Sequence, residues 1–164
     1  MRSGGQPFRR GLLHSFRCAF RGVWLCLCSE RNMRIHALAC GYVLFFAVKM
    51  GIAWGELALL LLAMGMVTAA EALNTAIEKL CDFVQPQQDR RIGVVKDMAA
   101  GGVALGAAFA ALTGAAVLLR PELWDVLRQI AGTPWKLTLF AVSLGASLWV
   151  VFGLPLVRPG DRRE

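Results

Sequence analysis

Four apolar stretches, each about as long as a membrane-spanning helix, constrain this chain more than any other feature. They cover residues 35–54, 57–82, 96–119 and 136–157. A helix needs about 20 predominantly apolar residues to cross the hydrocarbon core of a bilayer. Hydrophobic residues make up 57% of the 164, a share that is rare in a soluble domain of this length. The pattern predicts an all-α integral membrane protein.

The chain before the first span has the pattern of a helix that lies on the membrane surface. Between residues 8 and 28, apolar residues recur at helical spacing, and a basic stripe with His14 runs beside them. An apolar face flanked by a basic face suits a helix in the headgroup plane. We therefore expect residues 1–30 to form an N-terminal amphipathic surface helix.

The remaining chain divides into two parts. Residues 31–119 contain three spans, which form the expected core, and the third is rich in Gly and Ala, which allows close helix packing. Residues 120–164 contain an amphipathic connector, RPELWDVLRQIAGTP, and an additional C-terminal transmembrane helix with a polar tail.

The basic residues predict the orientation of the spans. Arginines are concentrated in the N-terminal region, the QPQQDRR loop and the tail, whereas the turn after the first span has only Lys49. Arg120, Arg128 and Lys136 weaken the contrast at the last connector. Because loops rich in Lys and Arg stay in the cytoplasm, we expect both termini and the QPQQDRR loop on the cytoplasmic side of a bacterial inner membrane.

The net charge and the cysteines exclude further classes of protein. A net charge of +7 could indicate nucleic acid binding. However, the basic residues lie outside the apolar stretches, where orientation and anionic headgroups explain them, so we expect no nucleic acid partner. The five cysteines are odd in number and include no C-x-x-C pair, which predicts neither a disulfide framework nor a zinc site.

Acidic residues end the second apolar stretch, where charge is costly. The run LALLLLAMGMVTAA is followed directly by EALNTAIEKLCD. At 100° per residue, Glu71, Thr75, Glu78 and Asp82 fall within a narrow sector of one helix, with Asn74 at its edge. A charge deep in a bilayer costs about 2.5–3.5 kcal/mol or more, so such residues usually pair, line a cavity or do chemistry.

The three carboxylates of this acidic stripe repel one another and need a cation, a proton or a basic partner. Basic candidates lie in SERNMRIH, before the first span, and at Lys96–Asp97 in the next helix. Mg²⁺ also fits, because it commonly takes one or two carboxylates and completes its shell with water and phosphate oxygens. Alternatively, Glu78 and Asp82 only mark a helix end among the headgroups, where charge costs little.

Depth separates two functions along the stripe. Glu71 lies about 10 Å farther from the cytoplasmic surface than Glu78. Glu78 can hold a metal–phosphate group that arrives from water, and Glu71 can accept a proton from a hydroxyl that arrives from the lipid. Phosphoryl transfer requires such positioning, charge neutralisation and a base. The stripe is therefore a candidate site where a phosphate donor meets a membrane alcohol.

Three segments together resemble the prokaryotic diacylglycerol kinase family of small integral-membrane lipid kinases: SERNMRIH, EALNTAIEKLCD and VVKDMAAGGV. The resemblance covers roughly residues 16–119. The chain has no P-loop, Gly-rich kinase loop or H-R-D motif, which excludes the soluble kinase folds. The resemblance implies transfer of the ATP γ-phosphate to a membrane lipid alcohol, with Mg²⁺ accompanying ATP.

The resemblance also implies roles for single residues. Glu71 is the general base for the lipid hydroxyl, and Asn74 orients the site. Glu30 and Glu78 bind Mg²⁺, and Lys96–Asp97 contacts the nucleotide or holds its pocket together. Family members form homotrimers with shared active sites, which implies that Glu30 approaches Glu78 across a subunit boundary.

The substrate expectation depends on His36. The R-I-H ending of ERNMRIH resembles the branch that phosphorylates undecaprenol, whereas the diacylglycerol-specific branch tends to have an acid there. We therefore expect undecaprenol, with diacylglycerol as the alternative. A histidine at the interface with no role in substrate choice also fits the pattern.

Two features depart from the family, and one rival function remains. Where the family often has an aromatic near the nucleotide, this chain has Cys18, so no stacking role is assigned there. The chain after residue 119 lies beyond the usual core. A small four-span proton-coupled transporter could use Glu71 alone, but it would not need the other polar residues gathered at one surface.

Overall fold

The computed structural model describes residues 11–156, and these form helices joined by short connections. The helices are α1 (Leu12–Ser29), α2 (Arg31–Met50), α3 (Trp54–Val84), α4 (Arg90–Leu118), α5 (Pro121–Ala131) and α6 (Pro134–Leu148), which continues into a π-helical turn, Trp149–Gly153. Residues 11–156 contain no strand. The all-α class predicted from the sequence is confirmed.

Four of the described helices are long and apolar enough to cross a membrane. They are α2, α3, α4 and the continuous segment Pro134–Gly153. Their order matches the four apolar stretches in the sequence, and the chain is a multi-pass membrane protein. The arrangement leaves α1 and α5 as the two shorter helices outside the spans.

Local backbone chemistry fixes two span boundaries. The first apolar stretch extends to Trp54, but α2 ends at Met50 because Gly51 adopts a φ of 64°, where glycine is favoured. The third span is predicted from Lys96, but α4 begins earlier, at Arg90. Asp89 caps this helix, since its Oδ1 accepts a hydrogen bond of 2.7 Å from the backbone N–H of Arg91.

The helix α1 agrees with the expected amphipathic surface helix in its described part. Phe16 and Phe20 are 56% and 74% exposed, so a row of large apolar side chains has no protein partner in the structure. The C-terminal end of α1 packs against α2 and α3, where Ser29 is buried. An exposed apolar face of this kind suits insertion into the headgroup boundary. Residues 1–10 of the predicted helix lie outside the described range.

The helices α3 and α4 form the central antiparallel pair. A Cβ placed on Gly106 would lie 3.9 Å from the Cα of Val67, so the two backbones approach closely at a small residue, as the composition of the third span predicts. Ala47, Leu60 and Val117 bring α2, α3 and α4 together in a buried apolar cluster. This cluster holds the three helices at the end of the bundle opposite the acidic stripe.

The C-terminal segment packs against α2. Tyr42 of α2 donates a hydrogen bond of 3.2 Å to Ser143 Oγ and lies 3.0 Å from Ser147 Oγ. The rings of Tyr42 and Phe140 meet edge to face, with 6.1 Å between their centroids. The fourth span is therefore attached to the predicted three-span core along α2.

Arg34 joins this segment to the rest of the fold. Its side chain is buried, and its guanidinium donates five hydrogen bonds of 2.8–3.2 Å to backbone carbonyls. The acceptors are the carbonyls of Leu27, Cys28, Val150, Leu154 and Pro155. Carbonyls at helix ends lack partners within the helix, so one side chain satisfies the ends of both α1 and the fourth span.

Candidate functional site

The acidic stripe of α3 faces the protein interior at one end and solvent at the other. Glu71 is 2% exposed, and Asn74 and Thr75 are also buried. Glu78 is half-buried and Asp82 is exposed. Burial therefore falls from Glu71 towards Asp82, in the order of depth that the sequence predicts.

Buried oxygens along this stripe have free hydrogen-bonding capacity. The Asn74 side-chain amide donates a hydrogen bond of 3.0 Å to Glu78 Oε1. Within residues 11–156, no partner is found for Glu71 Oε2, Asn74 Oδ1 or Thr75 Oγ1. Buried polar atoms in proteins are nearly always paired, so these acceptors point to a ligand that supplies donors or a cation.

The junction between α1 and α2 completes the surroundings of Glu71. Glu30, His36 and Glu78 are the titratable side chains that influence the Glu71 carboxylate most strongly, and the Asn32 amide lies nearby. Glu30 has extended backbone angles between the two helices, φ −123° and ψ 127°, which turn the chain there. This turn brings the SERNMRIH segment to α3.

Glu30 is held against α3 by a lysine. Nζ of Lys79 lies 3.0 Å from Glu30 Oε1, and the Glu30 side chain is 21% exposed. In the sequence, Lys79 is only an awkward partner for Glu71, because it lies two helical turns away. The periodicity of α3 does not predict its pairing with Glu30, whereas the negative charge of Glu30 does call for a basic partner. The contact forms within one chain.

The residues at the exposed end of the stripe form a second ion pair. Lys96 of α4 donates to Asp82 Oδ1 at 2.5 Å, which gives Asp82 a partner and links α4 to the stripe. A groove of about 570 Å³ lies beside this pair and is lined by the loop between α3 and α4, including Gln85, Gln88 and Arg90. Asp97 is exposed and has no described hydrogen bond to this group.

The donor set suits a metal that arrives with its own ligands. Among residues 11–156, no group of three His, Cys, Asp or Glu side chains is placed to hold an ion. Glu30 and Glu78 provide carboxylates, and Asn74 Oδ1 is a buried oxygen without a described partner. These are hard oxygen ligands, and Mg²⁺ needs only one or two of them when water and phosphate supply the rest. The residues fit Mg²⁺ bound to a nucleotide.

Comparison with known proteins identifies the family. The model of the prokaryotic diacylglycerol kinase family matches residues 17–118. The chain belongs to this family. The matched region runs from α1 to the end of α4 and contains every candidate site residue, whereas α5 and the fourth span lie outside it.

Two characterised relatives are similar to the chain. A diacylglycerol kinase from Synechocystis is 36% identical over 113 residues, which cover 68% of this chain and 65% of that protein. An undecaprenol kinase from Bacillus subtilis is 32% identical over 105 residues, or 64% of this chain and 85% of that protein. The chain thus spans less than two thirds of the Synechocystis protein. No solved structure is significantly similar to the chain.

Proposed function

We propose that this chain is an integral-membrane lipid kinase that transfers the γ-phosphate of ATP to a hydroxyl of a membrane lipid. The observation that carries this proposal is the buried Glu71 carboxylate, whose Oε2 has no described partner, beside the half-buried Glu78. Membership in a kinase family implies ATP as the co-substrate. The named functions of both relatives support a lipid kinase, and they do not support the proton-coupled transporter.

Each site residue has a role that follows from its position. Glu71 accepts the proton of the lipid hydroxyl, because it is the deepest carboxylate of the stripe and has a free oxygen. Asn74 positions Glu78 through its 3.0 Å hydrogen bond, and its own Oδ1 is buried without a described partner. Both residues therefore act at the centre of the site.

The nucleotide enters from the exposed end of the stripe. Glu30 and Glu78 would hold Mg²⁺, which when bound neutralises phosphate charge. Lys96 lines the groove beside the loop between α3 and α4 and provides a cation for phosphate. Asp97 follows Lys96 on α4 and is assigned to the nucleotide by resemblance alone.

We propose undecaprenol as the lipid substrate, with diacylglycerol as the alternative. His36 supports this choice, because it lies near the Glu71 carboxylate, where we expect the lipid hydroxyl to bind. The two relatives, named for different lipids, differ little in identity to this chain. Substrate choice is therefore argued from the residue beside the base.

We also propose a homotrimer in a bacterial inner membrane, with the N-terminus and the site on the cytoplasmic side. The orientation is supported by Arg31 and Arg34 at the start of α2 and by the Arg90 loop, which lie at the same end of the bundle as Glu78. The trimer is supported by the family resemblance. The resemblance also implies that the subunits share active sites, with Glu30 approaching Glu78 across a subunit boundary.

The direct test is phosphate transfer by purified protein in detergent. The protein is incubated with Mg²⁺, labelled ATP and either undecaprenol or a diacylglycerol, and labelled lipid is separated by chromatography. We expect label in the lipid, and a loss of about 10²–10⁴-fold for Glu71→Gln, the range for a general base. Glu122→Gln, an exposed acid at the opposite end of the bundle, is the matched control and keeps full activity. Absence of transfer to either lipid alcohol would refute the kinase.

A further inference from the structure

A cleft separates α2 from the C-terminal helices α5 and α6, outside the candidate site. Its volume is about 560 Å³, within the size range of ligand sites. Aromatic and aliphatic side chains make up most of its lining, including Phe45, Trp135, Leu139 and Phe140. It is open on one side, where the spans face lipid. The cleft therefore offers an apolar surface to a molecule dissolved in the bilayer.

The shape of the cleft matches an extended hydrocarbon chain. Its α2 wall runs from Ala37 to Lys49. At 1.5 Å per residue this wall is about 18 Å long, close to half of a hydrocarbon core that is about 30 Å thick. One acyl chain of one leaflet has this length.

The hydroxyl groups inside the cleft are already paired. Tyr42 donates to Ser143 Oγ, Ser143 donates to the carbonyl of Phe140 at 2.8 Å, and Ser147 Oγ lies 3.0 Å from the Tyr42 hydroxyl. No lining hydroxyl is left to require a polar ligand. The interior of the cleft thus favours a hydrocarbon chain over a polar solute.

Two cations line one end of the cleft. Lys49 lies in the last turn of α2 and Lys136 in the first turn of α6. Their Nζ atoms lie 6.0 Å and 5.8 Å from the ring centroids of Phe45 and Trp135, and neither lysine forms an ion pair within residues 11–156. Paired lysines beside a tryptophan are suited to the level of the lipid headgroups.

The three acids that the described part of the chain places at this surface, Glu56, Glu122 and Asp125, form no ion pair with Lys49 or Lys136. Glu56 is paired with Arg120, and Asp125 is paired with Arg128. The uncompensated positive charge therefore lies at the mouth of the cleft. An anionic phosphate complements it.

We propose that this cleft binds one acyl chain of an anionic phospholipid, with the lipid phosphate held by Lys49 and Lys136. Along α2, Lys49 is about 28 Å from Glu30, so this lipid sits in the leaflet opposite the candidate site and is not the kinase substrate. The proposal assigns a role to the fourth span, which together with α5 forms one wall of the cleft and lies outside the region matched by the family.

The test is lipid retention by the full-length protein in native mass spectrometry. The protein is purified in detergent and mixed with phosphatidylglycerol or phosphatidylcholine carrying the same two oleoyl chains. We expect the wild type to retain phosphatidylglycerol at least about tenfold better, since each lysine near an anionic surface contributes about a fivefold gain. The double variant Lys49→Gln/Lys136→Gln should reduce phosphatidylglycerol to the level of phosphatidylcholine.

Two further variants distinguish lipid binding in the cleft from nonspecific attraction of the lipid to positive charge. Arg128→Gln removes a positive charge at the same surface but outside the cleft lining, and should leave retention unchanged. Gly41→Leu fills the cleft, because no atom lies within 4 Å of a Cβ at Gly41, and should abolish retention while the thermal unfolding temperature is preserved.

Three results would overturn the proposal. The first is equal retention of both lipids by the wild type, and the second is unchanged phosphatidylglycerol retention in the double lysine variant. The third is a Gly41→Leu protein that keeps its lipid but loses self-association, which would assign the cleft to a second copy of the chain. None of these outcomes depends on kinase activity, so failure here is distinct from failure of the proposed function.

Discussion

Nζ of Lys79 on α3 lies 3.0 Å from Oε1 of Glu30 at the α1–α2 junction. The same carboxylate is proposed to bind Mg²⁺, so the ammonium and the metal compete for it. Lys79→Gln should therefore lower the Mg²⁺ concentration that gives half-maximal activity by about 1.5- to 5-fold, the equivalent of a partly exposed ion pair worth 0.2–1 kcal/mol. A magnesium titration at saturating ATP measures this.

The matched control for Lys79 is Lys136→Gln, a lysine at the opposite end of the bundle that should leave the magnesium titration unchanged. A higher magnesium requirement in Lys79→Gln would contradict the competition. It would show instead that Lys79 contributes to binding the nucleotide.

Glu30 and Glu71 are proposed to serve the same kind of site, and a subunit-mixing experiment shows which subunit supplies Glu30. Inactive Glu30→Gln and Glu71→Gln proteins are mixed during reassembly from denaturant, and activity is measured. If the subunits share sites, some sites of a mixed oligomer combine an intact Glu30 from one subunit with an intact Glu71 from another, so we expect partial recovery of activity. No recovery would show that Glu30 acts on the Glu71 of its own chain.

His36 should affect the choice of lipid. It lies near the Glu71 carboxylate, where the substrate hydroxyl is proposed to bind, and the family resemblance implies an acid at this position in the diacylglycerol-specific branch. His36→Glu should lower the ratio of undecaprenol to diacylglycerol phosphorylation by about tenfold, equivalent to about 1.4 kcal/mol. His14, the other histidine, lies on α1 and bonds Cys18, so His14→Gln serves as the control. An unchanged ratio in His36→Glu would remove His36 from substrate choice.

The Cys26 thiol reports the charge of Glu30. Burial raises the pKa of Cys26, and the Glu30 carboxylate raises this pKa further. A raised pKa leaves less thiolate at pH 8, so alkylation of Cys26 is slow. Glu30→Gln removes one raising cause, lowers the pKa and should speed alkylation, as measured by peptide mass spectrometry. Exposed Cys18 should react equally in both proteins. Slower alkylation of Cys26 in the variant would contradict this arrangement.

Arg34 should contribute strongly to stability. Arg34→Ala removes five hydrogen bonds from a buried guanidinium and leaves carbonyls at two helix ends unpaired. Hydrogen bonds to charged groups contribute about 1.5–3 kcal/mol each and do not add fully, so we expect a loss of at least about 3 kcal/mol in unfolding free energy. Arg34→Lys should recover little of it. Arg31→Ala, an exposed neighbour, is the control, and equal unfolding midpoints for the two alanine variants would contradict the role of Arg34.

The four spans could be predicted from the length of their apolar stretches, because a helix must be apolar over about 20 residues to cross a bilayer, whatever its neighbours are. The ends of the helices were predicted less accurately than their existence. The cap at Asp89 is a local signal in the sequence that would have placed the start of α4 correctly, and Gly51 likewise marks the end of α2. Both helix ends depend on single backbone groups. The mean hydropathy of an apolar stretch does not detect such groups.

The candidate site could be predicted only along one helix. The order of Glu71, Asn74 and Glu78 follows from helical geometry, and the structure shows Asn74 bonded to Glu78. The pairing of Lys79 with Glu30 and the contacts of Arg34 join different helices. These contacts depend on how closely the helices approach each other in space. The spacing of residues within one helix does not predict the distance between two helices.

The contacts of Arg34 also order the events of biosynthesis. Arg34 and its acceptor at Pro155 are separated by 121 positions, and a ribosome adding about 5–20 residues per second needs about 6–24 s to make that length. Until then, the guanidinium beside Glu30 has only the two carbonyls of α1. The emerging chain therefore cannot complete the hydrogen bonds of Arg34 at the start of its first span until the last span has been inserted. A nascent protein stalled before that point would have a less stable α1–α2 junction.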